Sequence, residues 1–252
     1  MIPQWVPPPR YLLRRHCILR LLRDVRPCRV LEIGCGAGDL LATLAARGYS
    51  GLGLELSPEA AAVAERVLAP YRERVSVQVA DFQQVTGRFG VVLAFDVLEH
   101  IRDDEEALSS WASRIAPDGK LLLSVPAHRR RWDWSDVSVG HYRRYEKGEL
   151  VELVQRCGLE IEEFWCYGFP LSNVIARVTD RLFYRRRATL TPEASARTQA
   201  SGLLEASDAR MLRFLAPQLA MLPFAWLQML FVASDLGTGY ILRARPRPSV
   251  PS

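Results

Sequence analysis

The chain has 252 residues, 49% hydrophobic and 24% charged, a composition that excludes disordered, collagen-like and mucin-like proteins. Its length suits one large α/β domain, or one domain with an appendage. The formal net charge is +5, but residues 1–163 carry 22 basic against 23 acidic residues and residues 164–252 carry 11 against 5. The whole excess lies in the last third, whereas a nucleic-acid enzyme would more often show a basic stripe beside its catalytic core.

Five cysteines (Cys17, Cys28, Cys35, Cys157, Cys166) form no C-x-x-C pair. Neither a disulfide framework nor a zinc ribbon is indicated, so buried thiols in a reducing, cytoplasmic compartment are expected and no metal site is assigned. The amino terminus lacks the apolar segment of a secretory signal.

Three prolines at 7–9 precede an arginine-rich helical pattern over residues 11–24, with Leu12, Leu19 and Leu22 on one face. Apolar runs then alternate with helix-length segments. Residues 29–33 predict a strand, 39–47 a helix and 51–56 a second strand. Ser57 predicts an N-cap, with Pro58 at the first helical position, for a helix to about residue 69. Strands follow at 75–79 and 90–95, a helix at 103–115 closed by Pro117-Asp118-Gly119, and a fifth strand at 120–125. A helix at 147–157 and strand-like residues 159–167 complete the rhythm. The regular alternation predicts a doubly wound, mostly parallel α/β sheet with helices on both faces.

About 70 residues then separate residue 167 from the last strand candidate, 239–245. Within them Leu171, Val174, Ile175, Val178 and Leu182 fall at helical spacing, and residues 188–208 look like a connection rich in Ala, Ser and Thr. The expected division is an N-terminal helical extension (1–24), a core (25–167 plus 237–246) and a basic, apolar helical insertion before the last strand (168–236).

The strongest motif is Val30-Leu31-Glu32-Ile33-Gly34-Cys35-Gly36-Ala37-Gly38-Asp39, a strand running into three alternate glycines that open a helix. Glycine permits positive φ and lets a ligand approach the backbone. An isolated glycine turn of this kind serves equally well as a plain strand-to-helix turn. Asp39, however, occupies the place where a pyrophosphate would sit, which argues against a dinucleotide. Glu55 ends the next strand 17 residues past the last glycine, where an acid can accept both ribose hydroxyls. The combination points to an adenosyl ligand with a cationic tail.

With these motifs the chain resembles the class I S-adenosylmethionine-dependent methyltransferases, over residues 25–167 plus the final strand. Residues Glu32–Gly38 match that family's first motif, Glu55 its ribose-binding acid, and Asp81-Phe82 the pair that holds adenine. Asp96-Val97-Leu98-Glu99-His100 resemble the segment lining the methionine end in small-molecule methyltransferases, and Pro117–Lys120 the lead into strand five. The resemblance implies S-adenosyl-L-methionine as cofactor, strand order 3-2-1-4-5-7-6 with strand seven antiparallel, and cofactor contacts at Glu32, Gly34, Cys35, Gly36, Gly38, Glu55, Leu56, Asp81, Phe82, Phe95, Asp96 and Val97.

Methyl transfer from a sulfonium is an in-line displacement, so positioning can supply most of the acceleration, though a hydroxyl acceptor must still lose a proton. His100, His128 and His141 follow the fourth and fifth strands at the ligand-binding end of the sheet. His141 is the favoured base, with His100 as a second candidate and His16 assigned to surface or packing. Asp136-x-x-x-Gly140-His141-x-Arg143-Arg144-Tyr145 resembles a pattern in a bacterial branch of these enzymes. Trp134, Arg143, Arg144 and Tyr145 are candidates for acceptor binding; equally, the arginines can fix the loop through ion pairs with Asp133 and Asp136. Neither a base-methylating Asn/Asp-Pro-Pro-Tyr/Phe motif nor an RNA-binding module is present, which disfavours a nucleic-acid substrate.

Residues 214–233 are uncharged and long enough by count to span a bilayer. Pro217, Pro223, Gln218 and Gln228 weaken that reading, and a span would strand residues 239–245 away from the sheet. A cap over the site, contact with the inner face of a membrane helped by Arg177, Arg181 and Arg185–Arg187, or a dimer face is expected instead. The expected activity is O-methylation of a small or lipid-linked acceptor. The alternative is a non-catalytic subunit that recruits a partner.

Overall fold

The computed structural model describes residues 7–183 and 220–247. Strands β1 (Arg29–Ile33), β2 (Ser50–Glu55), β3 (Val75–Val79), β4 (Phe89–Phe95), β5 (Ile115–Pro126), β6 (Leu159–Tyr167) and β7 (Gly239–Pro246) form one sheet in the order β3-β2-β1-β4-β5-β7-β6. All neighbours are parallel except β7, which runs antiparallel to both β5 and β6. This is the architecture and strand order expected from the sequence. Valine, leucine and isoleucine runs such as Val91–Ala94 are fully buried because helices cover both faces of the sheet.

The helices are α1 (Pro9–Leu21), α2 (Asp39–Ala45), α3 (Pro58–Leu68), α4 (Asp104–Ser113), α5 (Trp134–Val139), α6 (Lys147–Arg156), α7 (Leu171–Phe183) and α8 (Leu222–Met229). The Ser57 side chain accepts the Ala60 amide at 3.2 Å, as the N-cap reading requires. Helix ends fall one to three residues inside the predicted bounds, the usual fraying of a terminal turn. The Pro117-Asp118-Gly119 break is absorbed into β5 as a bulge. Phe89 pairs with Ile115 and Val91 with Lys120, so two residues of β4 face five of β5. Helix α5 was not expected. Asp133 and Asp136 close a reciprocal capping box there, which nucleates a short helix in a loop with little apolar periodicity.

Helix α1 buries Leu13, Cys17, Ile18 and Leu21, the last three among residues of α2 and the sheet. Gln228 of α8, read in the sequence as a polar interruption, is buried and ties three segments together. It donates to the Leu13 carbonyl at 2.9 Å and accepts the Gly168 amide at 3.1 Å. The end of the insertion is thereby fastened to α1 and to the exit of β6. Among the described residues, no helix is long and apolar enough to cross a membrane. Residues 188–208 and 214–219, with the side chains of Arg181 and Arg185–Arg187, lie outside the described residues.

Candidate active site

The site forms where β1, β2, β4 and β5 end. Gly34, Gly36 and Gly38 all hold positive φ (69°, 52° and 75°). At Gly34 a Cβ would lie 2.6 Å from Val97 Cγ2, so this glycine lets the loop after β1 meet the loop after β4. At Gly36 a Cβ would meet nothing within 4 Å, which leaves the loop backbone open to a ligand. The Glu55 carboxylate accepts the Gly36 amide and the Ser57 amide, each at 2.9 Å. One acid at the tip of β2 therefore sets the glycine loop and begins α3, and each oxygen retains a lone pair for a diol. Leu56, 60% exposed beside it, offers apolar surface to a nucleoside. Asp81 is exposed and receives the Gln83 amide at 2.9 Å. Phe82 turns inward, edge-on to Trp111.

Two residues of the first motif carry buried side chains. The Cys35 thiol points at Gly53 and is held far above its usual range by burial first and by Glu32 next. Burial pushes the Glu32 carboxyl up to about 8 against the pull of Arg14, and its Oε2 has no hydrogen-bond partner among the described residues. Phe95 is buried at the end of β4, with the Arg14 guanidinium 5.7 Å from its ring centre.

Helix α1 supplies residues that sequence reasoning missed. Arg14 hydrogen-bonds Asp96, Arg10 lies 3.8 Å from the same carboxylate, and Tyr11 and Arg15 each donate to Asp39 Oδ2 at 2.7 Å. Asp39 thus meets one cation and one phenol of its own chain, partners the sequence reading did not anticipate. Asp96 sits at φ 54° and also accepts the Ser124 hydroxyl at 3.2 Å. Burial alone would raise its pKa, but Arg14 and Arg10 override that and hold it down to about 2. The i, i+4 pairs Arg10/Arg14 and Tyr11/Arg15 were the available signal.

Beyond Asp96 the two histidine candidates meet, their ring centres 4.7 Å apart. His141 Nδ1 lies 2.8 Å from Asp136 Oδ1, and its Nε2 lies 3.7 Å from Glu99 Oε1. Burial would raise the Asp136 pKa, yet bonds from His141, the Asp133 amide and Arg144 keep it lowered. Glu99 is fully buried, neither of its oxygens has a hydrogen-bond partner among the described residues, and burial with the Asp96 charge drives its pKa well up. Burial, then the neighbouring His141, lowers His100 to about 4, so its ring is neutral. Glu99, His100 and His141 offer one ligand atom each within 4.8 Å, a donor set able to hold a divalent cation or share a proton.

A histidine buried neutral refuses a proton that the unfolded chain takes below about pH 6.5. Its contribution to stability is therefore complete above that pH and lost as pH falls toward 4. Relative to a His100→Asn variant, the parent should lose melting temperature steadily from pH 6.5 to pH 4. A constant difference in scanning calorimetry would show that His100 protonates freely in the fold.

The acceptor-binding candidates divide. Trp134 remains 43% exposed at the loop surface. Arg144 grips both oxygens of Asp136 at 2.8 and 2.9 Å, and Arg143 pairs with Asp104 at 2.8 Å. Both arginines fix the loop, one through an expected acid and one through an unexpected acid. The expectation that Tyr145 faces the acceptor is corrected: it is fully buried, with its hydroxyl donated to Asp104 at 2.9 Å.

The doubly wound sheet, the open glycine loop and the acid at the tip of β2 define an S-adenosylmethionine site, and the residues present fit that cofactor. Residues 10–163 match a family described as "Methyltransferase domain". The chain belongs to this family, within the class I S-adenosylmethionine-dependent methyltransferases. A ubiquinone biosynthesis O-methyltransferase of Aromatoleum aromaticum is 33% identical over 101 residues, covering 38% of this chain and 43% of the relative. The chain spans about half the length of the curated relatives it matches. Among solved structures, an O-methyltransferase from a trans-AT PKS multienzyme of Brevibacillus brevis, bound to S-adenosyl-L-homocysteine, is similar with a TM-score of 0.59 at 15% identity; the match covers 95% of this chain and 73% of that one. The [4+2]-cyclase SpnF is similar with a TM-score of 0.58 at 17% identity, covering 94% of this chain and 82% of that one. One fold thus carries differently named chemistries, and the reaction has to be argued from the site.

Proposed function

We propose that the protein transfers the methyl group of S-adenosylmethionine to an oxygen of a small or lipid-linked acceptor, with His141 as general base. The bound cofactor supplies an electrophilic methyl on a sulfonium, whose departure as a neutral thioether needs no protonation. Glu55 and Leu56 would hold its nucleoside, and the backbone of Gly34–Gly38 would line its path. The observation that carries the reading is the 2.8 Å contact between Asp136 and His141 beside the Asp96–His100 segment. An ionised Asp136 holds the proton on Nδ1 and leaves the Nε2 lone pair to accept the acceptor's hydroxyl proton. The name of the curated relatives supports oxygen as the accepting atom.

The test is label transfer from methyl-labelled S-adenosylmethionine to a panel of phenols and catechols, with and without prenyl tails. Labelled methyl ethers are expected. Cofactor binding without transfer to any member would favour the partner-recruiting alternative.

Peripheral contact with a membrane follows from the same proposal. Phe224, Trp226 and Leu230 of α8 and its exit are 41%, 59% and 78% exposed, and Arg20 lies over the Trp226 ring at 5.2 Å. An apolar face with an arginine at its edge suits an anionic lipid surface, and residues 168–236 would be the contacting unit. The protein should float with anionic liposomes, and replacing Trp226 and Leu230 together by serine should halve the bound fraction or better. Equal partitioning of parent and variant would remove this part of the proposal.

A further inference from the structure

A second cluster lies on the far side of β5 from the His141 site, and the methyl-transfer proposal makes no use of it. The geometry points to a zinc-type divalent metal site formed by His128, Cys166 and Asp235. These residues follow β5, end β6 and precede β7, and they offer one ligand atom each within 4.8 Å of one another.

The first support is an orphaned nitrogen. His128 is 3% exposed, and its Nε2 has no hydrogen-bond partner among the described residues. That nitrogen lies 3.8 Å from Asp235 Oδ1. Tetrahedral zinc with these donor types sets neighbouring ligand atoms ~3.3–3.6 Å apart, so this pair has to close by only a few tenths of an ångström. The second support is the tautomer. The Tyr240 hydroxyl donates to Asp235 Oδ1 at 2.7 Å, which leaves its oxygen free to accept His128 Nδ1–H, 3.4 Å away. A proton on Nδ1 puts the lone pair on Nε2, toward the other two ligands. The backbone at His128 is held at φ 65°, which a side chain rarely adopts.

Charge also balances. Metal binding takes the Cys166 proton to solvent and forms a sulfur–metal bond. One thiolate and one carboxylate then neutralise the dication. Without a cation, burial pushes the thiol up to about 12, whereas the Gly237 backbone amide favours the thiolate. Glu146, 3.9 Å from His128 Nδ1, offsets nearby Arg131 and Lys147. Residues of this type hold borderline-soft ions, and the half-exposed Asp235 leaves a fourth position open to water. The ion would fasten the end of the insertion to the rim of the sheet.

Cobalt(II) titration of the full chain, reduced and stripped with chelator, tests this. A thiolate-to-cobalt charge-transfer band should grow to one equivalent per chain and vanish when zinc is added. Cys166→Ser should abolish the band, and Asp235→Asn, a half-exposed change that keeps the fold, should weaken cobalt binding at least ~10-fold. His141→Gln should leave the band intact, because the Glu99–His100–His141 cluster has no sulfur. Absence of the band, its survival in Cys166→Ser, or equal affinity in Asp235→Asn would overturn the proposal.

Discussion

Replacing Glu55 with alanine should weaken S-adenosylmethionine binding by about 10- to 100-fold, the loss of hydrogen bonds to a charged group worth ~1.5–3 kcal/mol. Glu55 ends β2 with its carboxylate between two backbone amides, Gly36 and Ser57, each at 2.9 Å. Removing it deletes an acceptor for the ribose and also releases the loop that the ribose lies against. The second effect makes Glu55→Gln costly too. The amide can accept one of the two N–H groups, but its own NH2 then faces the other. Calorimetric titration of parent and variants measures both losses. Unchanged affinity in Glu55→Ala would remove the ribose assignment.

Replacing His141 with glutamine should lower kcat by ~100- to 10,000-fold, the range for loss of a general base, while cofactor affinity stays within about twofold. The separation follows from the layout. The residues assigned to the nucleoside and the methionine path sit on the loops after β1, β2 and β4, and His141 is held by Asp136 on the loop after β5. Arg144 and the capping box of α5 fix Asp136, so His141 stands on a buttressed loop. Single-turnover kinetics with a reactive phenol give kcat, and calorimetry gives the affinity. An unchanged kcat would mean that the hydroxyl loses its proton to water and that positioning alone accelerates the reaction.

The fold was legible because its signals are local and repeated. Strand-length apolar runs alternate with capped helices, and Ser57-Pro58 marks one helix start to the residue. The glycine loop and Glu55 were legible for the same reason, since each is a residue type demanded by backbone geometry at one strand end. What escaped was the set of side-chain contacts between segments distant in sequence. Arg14 with Asp96, Tyr145 with Asp104 and Gln228 with Leu13 are 82, 41 and 215 residues apart. Gln228 read as a flaw in an apolar stretch because its two backbone partners exist only after folding. Tyr145 read as a ligand contact because an aromatic residue in a basic loop looks exposed until Asp104 is brought beneath it. The His128, Cys166 and Asp235 cluster was invisible for the same reason, since zinc spacing is recognisable only when ligands share one short segment.

The central claim is that the glycine loop, Glu55 and the residues around Asp96 form a working S-adenosylmethionine site. Calorimetric titration of the purified, folded chain with S-adenosylmethionine and S-adenosylhomocysteine measures it most directly. Saturable binding of one cofactor per chain is the expected result for both compounds. A folded protein that binds neither would contradict the account.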